Sequence, residues 1–229
     1  VLRAYDDFFR GRANLDSLVF LTPRTNATSL GPELLLQGRV DMAEIPGYRR
    51  KEVAQAKDLR LISRRELSLS FIGLNCDLPP LNDLHVRRAL AMATDREAML
   101  AANPEGHVLP TGVLPPGMSC YSPEIKLLAH DLAGARAELA AAGYPGGRGL
   151  KEIVYCSSRS SSRSRKADSL LVAGWRQAGL PIKVQFSDWS ALSDGVDRGV
   201  LPLFSLSWVA DIPDPDSFLG ALFTSRSPY

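Results

Sequence analysis

The chain has 229 residues, 45% of them apolar and 23% charged, with a formal net charge of +2. This length and composition suit one large or two small globular domains with a substantial core. The near-neutral balance leaves no electrostatic footprint for nucleic acid or an acidic membrane. Cys76, Cys120 and Cys156 lie far apart with no CxxC pair, which argues against a zinc ribbon or a thioredoxin-type site. No apolar run approaches the roughly 20 residues of a membrane span. The opening VLRAYDDFF lacks a basic-then-apolar signal pattern, and with the ending SRSPY it reads as a piece of a longer chain.

Residues 1 to 46 read as a small strand, helix, strand unit. Leu15 to Leu21 is apolar enough for a buried strand, Leu30 to Gln37 suits a short helix, and Arg39 to Ile45 alternates like a second strand. Pro46 and Gly47 then punctuate the chain and mark the first expected boundary, giving domains 1–46 and 47–229. From Leu59 to Leu74 two apolar runs, LRLIS and LSLSFIGL, read as two strands or as one strand that crosses between lobes. Asp83 is placed to cap a helix carrying Val86, Leu90 and Ala93 on one face, and Asp95 to cap a short second helix. Residues 101 to 126, rich in Pro and Gly, form a long structured loop of the kind usually packed over a cleft.

Asp131 opens the next helix, which ends at Gly143 with Pro145 just beyond. Strands and helices then alternate: LKEIVYC, a helix from Ala167 to Ala178 stopped by Gly179, PIKVQF, a helix from Trp189 to Arg198, and LPLFSLSWV. Such alternation predicts βαβ crossovers, an α/β fold, and strand ends gathered along one sheet edge, where ligands bind.

His85, His107 and His130 show no HxxxH or HExxH spacing, and no GxSxG or P-loop signature occurs. Neither a metal centre, nor a cofactor, nor a hydrolase is expected. The run SSRSSSRSRK, residues 157 to 166, reads either as a solvated loop or as an anion grip, since its Arg residues precede a helix N-terminus. Asp188 and Trp189 read as a cap with a packed ring, and Asp214 and Asp216 as turn and cap residues. Asp211 differs by standing at a strand end beside Trp208, so it is open to two readings, a cap or a contact for a cationic ligand end.

In order, the segments FFRGRANLDSLVF, LLLQGRVDMAEIPG, FIGLNCDLPPLNDLHVRRALAMATDREAML, LPTGVLPPGMSCYSPE, HDLAGARAELAAAGYPGG, WRQAGLPIKVQFSDW and LFSLSWVADIPDPDSFLGALF resemble consecutive motifs of the family 5 extracellular solute-binding proteins. That family contains dipeptide-, oligopeptide- and nickel-binding receptors of bacterial ABC importers. The resemblance implies a periplasmic-binding-protein-like lobe of type II, cluster C, with a mixed sheet. Residues 1–46 would end a first lobe and 47–229 form most of a second.

It further implies a non-catalytic receptor whose partners are a peptide or other small solute and an ABC permease in the membrane, with no nucleic acid. The receptor would be a periplasmic or surface-tethered monomer. By position, Asp211 would take a peptide's α-ammonium, Trp208 would line the pocket, Ser207 and Val209 would offer main-chain hydrogen bonds, and Arg159 would meet the ligand carboxylate. An alternative built on the same fold is the ligand-sensing domain of a cytoplasmic transcriptional regulator.

Overall fold

The computed structural model describes residues 1–21, 27–102, 104, 107–158 and 162–224. Two compact units divide the chain, Val1–Arg64 and Arg65–Tyr229. The punctuation at Pro46 and Gly47 therefore lies inside the first unit.

The first unit holds little regular structure. A two-residue ladder pairs β1 (Leu2–Arg3) with β2 (Ser17–Leu18) antiparallel, and two helices follow, α1 (Ala27–Leu36) and α2 (Arg50–Ala54). Only Ser17 and Leu18 of the expected strand Leu15 to Leu21 are paired, and that run is exposed throughout. Arg39 to Ile45 alternates in sequence but forms no strand, because among the described residues of this unit nothing pairs beside it. The run LRLIS is likewise outside any strand.

The second unit is built on a four-stranded sheet. Its strands are β3 (Ser68–Leu74), β4 (Ile153–Ser157), β5 (Ile182–Phe186) and β6 (Leu203–Val209), in the order β3-β6-β4-β5. β4 runs parallel to both β5 and β6, whereas β3 is antiparallel to β6. The chain leaves β4 toward β5 through α6 (Ser162–Ala178) and returns across β4 to β6 through α7 (Trp189–Asp197). The C-terminal ends of β4, β5 and β6 share one edge, with the reversal of direction between β4 and β6. Open α/β sheets hold ligands at such a reversal.

Strand alternation sorts the core into two layers. On one face Ile153, Tyr155, Ile182 and Leu203 pack against α3 (Leu84–Met92), α5 (Leu132–Ala141) and α6, with Trp175 of α6 at the centre. On the other face Cys156, Phe204 and Leu206 pack against Leu192 and Val196 of α7. Each fully buried Leu, Ile or Phe stabilises the unit by about 1.5–3 kcal/mol.

The helix starts follow the expected caps. Asp83, Asp131 and Asp188 each accept a main-chain N–H in the first turn, from His85, Gly134 and Ala191, and Asp95 does so from Ala98 ahead of α4 (Arg96–Ala102). At the end of α6 Gly179 adopts φ 106°, and a Cβ on Gly147 would stand 1.9 Å from its carbonyl oxygen. That close approach of two backbones demands glycine. α6 begins at Ser162, so the end of the Ser/Arg run is helical and only its start connects β4 to α6.

Candidate functional site

The geometry of β6 follows from its two neighbours. Asn75 N–H donates to Pro202 O and Ala210 N–H to Leu67 O, both at 2.9 Å, at the two ends of the ladder with β3. Antiparallel pairing alternates, so the even-numbered residues of β6 turn their main-chain groups toward β3. Ser205, Ser207 and Val209 turn theirs the other way. On that side the β4 ladder is in register at Tyr155↔Leu203 and Cys156↔Phe204, and β4 ends at Ser157. β6 thus overruns β4, and the main-chain groups of Ser207 and Val209 face the space beyond it.

A cleft of about 220 Å³ lies at this overrun, between the end of β6 and α7. Leu206, Trp208 and Val196 supply apolar walls, and Trp189 on the first turn of α7 closes one side. Ser193, Ser207, Val209 and Asp211 complete it, and Asp211 is the one charged side chain among these lining residues. The volume falls below that of a usual whole-ligand pocket and suits a side chain with part of a main chain.

Three contacts shape the mouth. Trp208 donates its indole N–H to Ser217 O at 2.6 Å, fixing its ring against the start of α8 (Asp216–Phe223). Ser207 Oγ lies 2.7 Å from Ser70 Oγ across the ladder. The turn into α8 is held by Asp214, whose carboxylate accepts the N–H of Asp216 at 2.8 Å. The N-cap position is Pro215, which makes no side-chain cap bond, so Asp214 holds the turn ahead of it, Asp216 lies in the first helical turn, and the exposed Asp211 stands outside both roles.

Four of the five sequence-predicted site residues, Ser207, Trp208, Val209 and Asp211, are therefore brought together. Arg159 lies outside the described residues. Sequence reasoning missed Trp189, which it took for a packed ring beside the Asp188 cap. Trp189 is 60% exposed and stands over the cleft. Its spacing carried the signal: Trp189, Leu192 and Val196 form one helical stripe, of which Leu192 and Val196 are buried and Trp189 is exposed at the cleft.

A larger cavity, about 440 Å³, lies between the turn Thr94–Glu97 and the loop around Leu109 and Leu127–His130. Arg96 crosses it to donate to Leu128 O at 3.1 Å, and burial lowers its guanidinium pKa from the ordinary value. His130 Nδ1 lies 3.5 Å from Asp95 Oδ2 on the same wall. These contacts pin the long loop to α4 and leave the sheet edge as the site with ligand-directed groups. Among the described residues no group of three His, Cys, Asp or Glu is placed to hold a metal ion.

The whole chain, residues 1–229, matches the family described as bacterial extracellular solute-binding proteins, family 5, middle region. A probable di/tripeptide-binding protein 5 of Pseudomonas aeruginosa is 31% identical over 232 residues, covering 98% of this chain and 42% of the relative. Heme-binding protein A of Haemophilus influenzae is 27% identical over 229 residues, covering 98% of this chain and 41% of the relative. Among solved structures, the dipeptide-binding protein of Pseudoalteromonas sp. SM9913 in complex with Met-Leu superposes with a TM-score of 0.74 at 25% identity, covering 89% of this chain and 42% of that one. The chain spans less than half the length of these relatives. It belongs to the family 5 bacterial extracellular solute-binding proteins.

Proposed function

We propose that this chain supplies the ligand-binding lobe of a receptor that captures a peptide-like solute in a cleft between two lobes and presents it to an ABC permease. The observation that carries the reading is the overrun of β6 past β4, with Asp211 at its tip. An extended peptide laid along Ser207 and Val209 would gain main-chain hydrogen bonds whatever its side chains. Asp211 would take its α-ammonium, and Trp208 and Trp189 would flank a side chain. The ligand carboxylate would meet Arg159.

The family is one of binding receptors rather than enzymes, and its relatives include proteins that bind di- and tripeptides, glutathione and heme. Peptide is the reading favoured by a strand side that has no strand beside it among the described residues and ends in an acid, because that arrangement matches an N-terminal ammonium followed by amides. In this reading residues 1–46 end the first lobe, residues 47–229 form most of the second, and closure is a hinge motion about the segments that join the lobes. The receptor acts as a monomer in the periplasm or tethered outside the cell.

Calorimetric titration of the full-length protein with a panel of di- and tripeptides tests the proposal. Binding that is lost when the peptide N-terminus is acetylated supports it. Equal affinity for free and acetylated peptides would remove Asp211 from its role.

A further inference from the structure

A buried polar cluster sits under the same sheet edge. Asp168 of α6 is 2% exposed, and Ser157, the last residue of β4, is fully buried. Tyr155 donates its hydroxyl to Asp168 Oδ1 at 2.7 Å and Ser157 donates its hydroxyl to Oδ2 at 2.9 Å. Tyr155 and Ser157 are two residues apart on one strand, so both point to the α6 side of the sheet. Ser157 also works in the plane of the sheet. Its carbonyl accepts the N–H of Ser187 at 3.1 Å, one step past the β4–β5 ladder. Ser187 directly precedes Asp188, whose carboxylate caps α7 through Ala191 N–H at 2.8 Å. The first residue of that helix is Trp189, the far wall of the cleft.

Ser157 is thus where a helix on one face of the sheet is registered against a helix on the other. We propose that Ser157 and Asp168 form a positioning node that sets where Trp189 stands over β6, and so which ligand side chains the cleft admits. The inference rests on the cleft being the binding site. Two features support a geometric role over a packing one. An apolar residue at the end of β4 would join the core without needing a partner, whereas a buried hydroxyl requires one in a fixed direction. The Ser157–Ser187 bond is also the last link before the cap of α7, so a shift at Ser157 is passed to Trp189 with no flexible segment between.

The test uses the full-length protein labelled with 5-fluorotryptophan, its Trp189 signal assigned by Trp189→Phe, together with titration of Ala-Ala, Ala-Phe and Phe-Ala. Ser157→Ala should move and broaden the Trp189 resonance and weaken a Phe-bearing dipeptide about fivefold more than Ala-Ala. Tyr155→Phe removes the other hydroxyl without touching the Ser187 link. It should lower the melting temperature and leave both the resonance and the side-chain preference as they were. Asp168→Asn, which keeps an acceptor for Ser157, should hold the resonance closer to wild type than Asp168→Ala does.

If Ser157→Ala leaves the resonance and the preference unchanged while wild type binds, the node is overturned and the cleft reading stands. A wild-type protein that binds none of the three dipeptides overturns the peptide reading instead, and the fluorine resonance alone then decides whether the node positions Trp189.

Discussion

The indole N–H of Trp208 donates to the main-chain carbonyl of Ser217 across 2.6 Å, tying the end of β6 to the first turn of α8. One side chain thereby walls the cleft and fixes the helix that follows it. Trp208→Phe keeps a ring in the wall and removes the donor. It should cost about 1 kcal/mol, the net worth of an ordinary hydrogen bond, seen as a lower urea midpoint with an unchanged m-value. Unaltered stability would mean that the indole bond does not hold α8, leaving packing and the turn bonds of Asp214 and Ser217 to do so.

Asp211 and Asp214 should separate cleanly. Asp211→Ala should weaken peptide binding about tenfold or more, as expected for losing a hydrogen bond to a charged group, while leaving the melting temperature in place. Asp214→Ala removes the turn bond to Asp216 N–H and should cost about 0.5–1.5 kcal/mol of stability, with affinity retained. Calorimetry and thermal melts on the two variants read both quantities, and exchanged phenotypes would reverse the roles.

Main-chain polarity along β6 gives a second contrast. Val209 turns its N–H away from β3, so Val209→Pro should abolish peptide pairing at that position and leave the ladder with β3 intact. Ala210 donates to Leu67 O at 2.9 Å, so Ala210→Pro should destabilise the fold through the lost ladder bond. Amide exchange at Leu69 and Phe71 should stay slow in the first variant and speed up in the second.

The thiols should divide by environment. Burial raises the pKa of the Cys156 thiol above its ordinary value, whereas Cys76 and Cys120 are exposed. In native protein near pH 8, Cys76 and Cys120 should react with an aromatic disulfide reagent and Cys156 only after denaturant is added. A raised folded-state value favours the protonated form. Its contribution to stability is complete below the ordinary thiol range and is lost as pH climbs through the raised value. Rapid native labelling of Cys156 would contradict its place in the α7-facing core.

Local chemistry made much of the second unit readable from sequence. Asp83, Asp95, Asp131 and Asp188 are short acceptors placed ahead of periodic apolar runs, and each caps as expected because capping needs nothing beyond the first turn. β4 and β6 were readable because each carries a largely buried run, and β5 because the β-branched Ile182 and Val184 alternate with Lys183 and Gln185. Arg39 to Ile45 misled because alternation describes a half-buried strand only when a neighbour exists to pair with it. Ser162 to Lys166 misled in the opposite sense, since serines there take their conformation from the helix that Leu171, Val172 and Trp175 anchor. Trp189 was hidden because helical spacing tells which side of α7 faces the sheet and not where the sheet stops. The Ser157–Asp168 contact joins residues on two elements, and no local pattern encodes it.

The overrun of β6 also has a cost in the unliganded state. Among the described residues no strand lies beside Ser207 and Val209, and a strand side left open in this way will accept any extended chain that reaches it, including the same segment of another molecule, which is the usual start of edge-to-edge aggregation. Here the stretch is short, is flanked by Trp208 and Trp189, and ends in a negative charge at Asp211. Two copies approaching through this edge would bring two such carboxylates together. The acid that would welcome a ligand's ammonium thus also guards the empty site against its own kind.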